Sequence, residues 1–210
     1  PTGSALAASF DKELIYEVAK RIGEAAKSEN VGTVLGPAIN IKRSPLCGRN
    51  FEYLSEDPYL TGELATAYVK GMQDQSVGTS LKHFAVNNQE TNRMTADARV
   101  SERALREIYL PAFEKTIKEA QPWSVMASYN LVNGSYSTEN TYLLNDILRN
   151  EWGFSGIVIS DWGAVNDKVT AIAAGLNIEM PESNYADKDI LKALEDGTSV
   201  SYTHLTLPTT

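Results

Sequence analysis

Apolar residues follow two patterns along the chain: a recurrence every three to four residues, and short continuous runs. The first pattern predicts amphipathic helices over residues 11–29, 60–75, 101–119, 139–152 and 164–174. The second predicts strands over residues 33–40, 78–85, 123–130, 157–159 and 175–181. This repeated alternation of helix and strand indicates a parallel sheet that is covered by helices.

Two α/β architectures contain such a sheet: an open doubly wound sheet and a (β/α)8 barrel of the TIM type. Polar residues follow several of the predicted strands directly, namely Lys82, His83, Tyr129 and Asp161. In a barrel all strand ends meet on the face that carries the active site, whereas an open sheet gathers only those near its switch point. The polar strand ends favour the barrel, and because only five strands are predicted we expect it to be incomplete.

Charge and composition exclude several classes of function. The formal net charge is −8 without a cluster of Lys and Arg, which disfavours a nucleic-acid partner. No apolar run approaches the roughly 18 residues of a membrane span, so we expect no membrane partner. Cys47 is the single cysteine, and His83 and His204 lie too far apart for zinc-like spacing. Because a dinucleotide fingerprint and a phosphate loop are also lacking, we expect neither a metal nor another cofactor.

The two ends of the sequence suggest a piece of a longer protein. The chain begins with Pro1 instead of Met, so we expect that the true N-terminus is missing, and no compartment is predicted. After Asp196 there is no charged residue, and four of the last ten residues are threonine. We therefore assign residues 1–199 to one partial domain and residues 200–210 to a non-native or disordered tail.

The stretch GIVISDWGAV, residues 156–165, places Asp161 two residues beyond an apolar run. The carboxylate can cap a helix that begins near Ala164, or it can serve the chemistry of a site at the strand end. The other candidates also have structural alternatives. Arg49 can form a loop salt bridge to a nearby carboxylate, and Trp162 can fill the core. Spacing alone leaves these alternatives open.

Several strings taken together resemble the N-terminal catalytic barrel domain of glycoside hydrolase family 3. The resemblance covers about Phe10 to Gly197, and the strings occur in that family's order. The strings are GRNFEYLSEDPYLTGE, SLKHFAVNNQETNR, SERALREIYLPAFE, VMASYNLVNG, LRNEWGFSGIVISDWGAV and AAGLNIEMP.

The resemblance implies a retaining, exo-acting β-glycosidase of the β-glucosidase type that acts on small carbohydrates. The string SDW matches the strand that carries the family's nucleophile, which makes Asp161 the nucleophile. Positive charges on the nearby Lys82, His83 and Arg49 are expected to favour its charged form. The residues implied to bind the substrate are Arg49, Lys82, His83, Met126, Tyr129 and Trp162.

The chain also departs from the family's pattern. An upstream aspartate-bearing loop and the second α/β domain, which carries the acid/base carboxylate in most members, are missing, so we expect this piece alone to be inactive. KHFAVNNQE has no second histidine nearby, which disfavours the β-N-acetylglucosaminidase branch. The alternatives are a β-xylosidase or arabinofuranosidase, a Schiff-base aldolase or lyase that uses Lys82, and a non-catalytic sugar-binding homologue.

Overall fold

The computed structural model describes residues 1–182 and 186–198. Its α-helices are α1 (Gly3–Ala7), α2 (Lys12–Ser28), α3 (Pro58–Gln73), α4 (Glu102–Ala104), α5 (Pro111–Ala120), α6 (Lys168–Ala174) and α7 (Ala186–Glu195). Its strands are β1 (Thr33–Val34), β2 (Gly78–Phe84), β3 (Asp97–Ala98), β4 (Ser124–Ala127), β5 (Leu131–Val132), β6 (Ser135–Tyr136) and β7 (Ile157–Ser160). The structure also contains two π-helical segments, Leu105–Tyr109 and Tyr142–Glu151, and the 3₁₀ turn Ser137–Glu139.

The main sheet contains four parallel strands in the order β1-β2-β4-β7. Val125 at its centre pairs with Leu81 on one side and with Val158 on the other. A single bridge between Ile159 and Ile178 continues the parallel pairing beyond β7. The helix-covered parallel sheet that the alternation predicted is therefore confirmed, and the carboxyl ends of its strands lie on one edge.

The first and last predicted strands form only short stretches of the sheet, and the run over 123–130 pairs only at Ser124–Ala127. The run over 33–40 forms a ladder only at Thr33–Val34, because the Gly36 N–H turns back to the Val34 carbonyl and Pro37 has no backbone N–H to donate. It returns to the sheet at Ala38, which forms a bridge with Lys82. The run over 175–181 forms a single bridge at Ile178.

The predicted helix over 101–119 is divided. Ser101 caps its start by accepting a hydrogen bond from the Ala104 N–H. The chain then widens into the π-helical turn Leu105–Tyr109, and Pro111 starts α5. Because the π turn changes the rotation per residue, Ile108 lies off the apolar face that regular helical spacing over 101–119 would give it, and it is 39% exposed.

A small second sheet and the last helix were not predicted. The second sheet has the order β3-β5-β6, and its hairpin turns through Asn133 and Gly134, both at positive φ. The Asn-Gly pair is a strong hairpin signal that the apolar pattern does not contain. Helix α7 lies in a segment to which no element was assigned. The predicted tail, residues 200–210, lies outside the described residues and stays a prediction.

An aromatic cluster joins the helices to the sheet beside the strand ends. The Phe84 ring packs edge to face on Phe113 of α5, with ring centroids 5.3 Å apart, and on Trp152 at 5.8 Å. All three side chains are buried. Because Phe84 directly follows His83, this cluster holds the end of β2 in place. Within the described part of the chain, no helix is long and apolar enough to cross a membrane.

Candidate active site at the strand ends

The structure brings three of the predicted site residues together at the carboxyl edge of the sheet. His83 lies in β2, Tyr129 follows β4 by two residues, and Asp161 follows β7 directly. The His83 Nε2 atom is 3.7 Å from Oδ2 of Asp161. Burial, followed by the negative charge of Asp161, raises the pKa of Tyr129. Residues from three neighbouring strand ends therefore face one carboxylate.

The two oxygens of the Asp161 carboxylate have different surroundings. Oδ1 accepts a hydrogen bond of 2.8 Å from the backbone N–H of Trp162. Oδ2 is buried and has no hydrogen-bond partner at normal distance among the described residues, although the Tyr129 hydroxyl is close enough to the carboxylate to contribute to the raised pKa of Tyr129. Buried carboxylate oxygens are nearly always hydrogen-bonded, so an oxygen left free marks a candidate for chemistry. Asp161 is not a helix cap: α6 begins only at Lys168 and is capped by Asp167.

His83 is neutral at the centre of this group. Its side chain is 1% exposed, and burial lowers its pKa well below the ordinary value of 6.5. The positive charges of Arg49, Lys82 and Arg93 lower this pKa further. The expectation that His83 adds a positive charge next to Asp161 is therefore wrong, because burial and the three cations outweigh the Asp161 carboxylate 3.7 Å away and lower the pKa of His83.

The neutral state of His83 predicts a loss of stability in acid. As the pH falls below about 6.5, the unfolded chain protonates this histidine and the folded protein does not, so the free energy of unfolding decreases. In this pH range the free energy of unfolding decreases by at most about 1.4 kcal/mol per pH unit. Urea titrations of the full-length protein between about pH 7 and pH 5 should show that the free energy of unfolding decreases less in His83→Gln than in the wild-type protein. Equal decreases in both proteins would contradict the assignment.

Glu52 connects the two predicted cationic residues of the site. One of its oxygens accepts a hydrogen bond from Arg49 Nε, and the other is 3.5 Å from Lys82 Nζ. Arg49 thus forms the loop salt bridge predicted as its alternative role, with Glu52 as the partner. The side chains of Arg49 and Lys82 are 18% and 16% exposed, so each also keeps surface that a ligand can reach. Glu52 was missed as a site residue, although it ends the string GRNFE.

Arg93 is a second residue that the sequence did not single out. Its guanidinium carbon lies 4.6 Å from the centroid of the Tyr129 ring. The same side chain donates a hydrogen bond of 2.7 Å to Glu90 Oε2. Arg93 therefore supports the face of Tyr129 and is itself held by Glu90, a contact that nothing in the apolar pattern of the chain indicates.

The remaining two candidates differ in exposure. Met126 is 3% exposed within β4, where it pairs with Lys82 and Ile159. Trp162 is 57% exposed, so it does not fill the core. An exposed indole beside a strand-end carboxylate offers a flat apolar surface to a ligand. Within residues 1–182 and 186–198, no three His, Cys, Asp or Glu side chains are grouped so that they could hold a metal ion.

The family model described as the glycosyl hydrolase family 3 N-terminal domain matches residues 1–206, and the chain belongs to this family. It is 56% identical over 198 residues to thermostable beta-glucosidase B of Acetivibrio thermocellus, with 94% of this chain and 26% of that protein covered. It is also 56% identical over 197 residues to an exo-alpha-(1->6)-L-arabinopyranosidase of Bifidobacterium longum, again with 94% and 26% covered. The chain therefore spans about a quarter of the length of these curated relatives.

Solved structures of related proteins share the fold. Beta-glucosidase 3B from Thermotoga neapolitana in complex with glucose superposes with a TM-score of 0.93 at 48% identity, covering 96% of this chain and 29% of that one. The GH3 beta-glucosidase of Bifidobacterium adolescentis gives 0.93 at 53% identity, covering 96% and 30%. Both matches support the parallel α/β arrangement that carries the site.

Proposed function

We propose that the protein containing this chain is a retaining, exo-acting β-glycosidase of the β-glucosidase type, with Asp161 as its nucleophile. The observation that carries this proposal is the buried Oδ2 atom of Asp161, which has no hydrogen-bond partner among the described residues. Its partner oxygen is held by the Trp162 N–H, which fixes the direction of the carboxylate. The names of the relatives, most of which are beta-glucosidases, support the same class of reaction.

The reaction proceeds in two displacements. Oδ2 of Asp161 attacks the anomeric carbon, the bond from that carbon to the leaving oxygen breaks, and a second carboxylic acid gives its proton to this oxygen. Water then attacks the anomeric carbon of the ester, gives a proton to the second carboxylate and releases Asp161. The two carboxyl groups of a retaining enzyme lie about 5–5.5 Å apart.

The second carboxylate is proposed to come from outside this chain. The curated relatives are about four times as long as the chain, which leaves room for a further α/β domain that supplies the acid. The same additional sequence is proposed to complete the sheet to a (β/α)8 barrel, because β1 and the bridge at Ile178 leave both sheet edges open.

The charged and aromatic residues around Asp161 suit a sugar ring. Lys82 and Arg49 keep partly exposed cationic groups that donate hydrogen bonds to hydroxyls. The exposed indole of Trp162 offers an apolar face to a pyranose or to the leaving group. Met126 is the partner of Lys82 in the pairing of β2 and β4. Together these side chains are proposed to form the subsite for the non-reducing sugar.

A pentopyranoside is the second candidate substrate. Two relatives at 56% and 55% identity are named as exo-alpha-(1->6)-L-arabinopyranosidases, as similar to the chain as a beta-glucosidase is. A β-xyloside is a further member of this substrate class. A Schiff-base aldolase is not favoured, because its lysine needs a free amine and Lys82 is paired with Glu52.

A panel of aryl glycosides is expected to separate these substrates in the full-length protein. The proposal predicts that the β-D-glucoside has a higher kcat/KM than the α-L-arabinopyranoside and the β-D-xyloside. Proton NMR should show that the first sugar released keeps the anomeric configuration of the substrate, because two displacements restore it. The 210-residue chain alone is the control and should give negligible turnover. Release of the inverted anomer would refute the retaining mechanism.

A further inference from the structure

Asn40 holds the backbone of His83 through both ends of its side-chain amide. The His83 N–H donates a hydrogen bond of 2.9 Å to Oδ1 of Asn40. Nδ2 of Asn40 donates in turn to the His83 carbonyl oxygen, also at 2.9 Å. Because a backbone N–H only donates and a carbonyl only accepts, these two bonds fix which end of the amide is oxygen. Asn40 is 3% exposed, so no bulk water competes for these bonds.

The strand pairing explains why Asn40 reaches His83. The Lys82 N–H donates to the Pro37 carbonyl at 3.0 Å, and the Ile39 N–H donates to the Lys82 carbonyl at 2.7 Å. The segment after Pro37 therefore runs parallel to the end of β2, and the residue after Ile39 lies next to His83. The backbone on both sides holds the amide in this place.

The same Asn40 oxygen also determines where the proton of the imidazole lies. Nδ1 of His83 is 3.3 Å from Oδ1 of Asn40, which can only accept a hydrogen bond. Of the two ring nitrogens, only Nδ1 has its acceptor within hydrogen-bond length, because Oδ2 of Asp161 is 3.7 Å from Nε2, so the proton belongs on Nδ1. In a neutral ring Nε2 then carries a lone pair, and this atom faces Oδ2 of Asp161 at 3.7 Å.

We propose that Asn40 is a positioning residue that keeps His83 in the Nδ1–H tautomer and thereby prevents the imidazole from donating a hydrogen bond to Oδ2 of Asp161. With the proton on Nε2, the ring would donate to this carboxylate, and a hydrogen bond to the charged oxygen would stabilise it against attack on carbon. With the proton on Nδ1, Nε2 can instead accept a hydrogen bond from a sugar hydroxyl. The consequence for attack rests on the function proposed above, whereas the tautomer does not.

Nitrogen NMR of the full-length protein with labelled histidine tests the tautomer without any turnover. Comparison with His83→Gln assigns the resonances. The wild-type protein should show Nδ1 at the position of a protonated imidazole nitrogen and Nε2 at that of an unprotonated one. A protonated Nε2 in the wild-type protein would overturn the proposal, even if every step of the glycosidase reaction were correct. Conversely, the Nδ1–H tautomer can be observed even if the protein has no glycosidase activity.

Substitutions of Asn40 test its role. Asn40→Ala removes the acceptor, so the proton is expected to move to Nε2 and kcat to fall about tenfold, the effect of roughly one hydrogen bond. Asn40→Asp keeps an acceptor at Nδ1, so it should keep the Nδ1–H tautomer. It should also raise the pH at which His83 titrates, because it adds a negative charge. An Nε2–H tautomer in Asn40→Asp would contradict the proposal.

Asn88→Ala is the matched control, because it removes a second, partly buried asparagine that binds the same neighbouring segment. Nδ2 of Asn88 donates to the Ile41 carbonyl at 2.6 Å and has no contact with His83 among the described hydrogen bonds. This variant should keep the wild-type tautomer and a kcat within about twofold of wild type. If Asn40→Ala and Asn88→Ala reduced kcat equally without a change in the histidine spectrum, Asn40 would be structural only and the proposal would be wrong.

Discussion

Replacement of Asp161 by asparagine is expected to reduce kcat of the full-length protein by at least about 10⁴-fold, the scale seen when an essential catalytic group is removed. The amide keeps the size of the side chain and can still accept the bond from the Trp162 N–H. It lacks the negative oxygen that attacks the anomeric carbon. Because only the covalent step is lost, the Kd for a competitive sugar inhibitor should change little. Steady-state kinetics and inhibitor titration measure the two quantities.

Asp167→Asn is the control for the loss of a negative charge in this region. Asp167 caps α6 by accepting a hydrogen bond of 2.6 Å from the Thr170 N–H, and asparagine caps helices about as well. This variant should keep nearly normal turnover. Asp161→Asn with nearly normal turnover would show that the nucleophile is another residue.

Replacement of Phe113 by alanine is expected to lower the free energy of unfolding by about 3–5 kcal/mol. The ring is fully buried and packs edge to face on Phe84, so its removal loses apolar burial, leaves a cavity and removes an aromatic pair. Because Phe84 follows His83, kcat should also fall through displacement of the strand end. Chemical denaturation and activity assays on the same preparations test both expectations.

Phe113→Leu distinguishes the loss of side-chain volume from the loss of the aromatic ring at this position. Leucine restores most of the apolar volume but not the ring, so its cost should be clearly smaller than that of alanine. A loss below about 1 kcal/mol for Phe113→Ala would mean that α5 does not support the end of β2 as the packing indicates.

The elements that depend on local chemistry could be predicted from the sequence. Asp11 caps α2 by accepting a hydrogen bond from the Leu14 N–H, within a residue of the predicted start. The position of Asp161 at a strand end follows from the apolar run before it. The π turn before Pro111 was not predicted, because the apolar pattern was interpreted with the period of an α-helix throughout residues 101–119.

The site could be predicted as a set of residues but not as a set of contacts. The hydrogen bonds between the Asn40 amide and the backbone of His83 join residues 43 positions apart and depend on the register of two strands. The neutral state of His83 depends on burial, which follows from the complete packing around it. Arg93 meets Tyr129 only because a loop returns to the strand ends. Such contacts are tertiary, and the order of residues along the chain does not contain them.

Covalent trapping is the most direct test of Asp161 as the nucleophile. The full-length protein should be incubated with a 2-fluoro-β-glucoside that carries a good leaving group, then digested and mapped by mass spectrometry. Attack by Oδ2 predicts one fluorosugar per active site, attached to the peptide that contains Asp161 and absent from Asp161→Asn. A label on any other carboxylate, or inactivation of Asp161→Asn at the wild-type rate, would contradict this assignment.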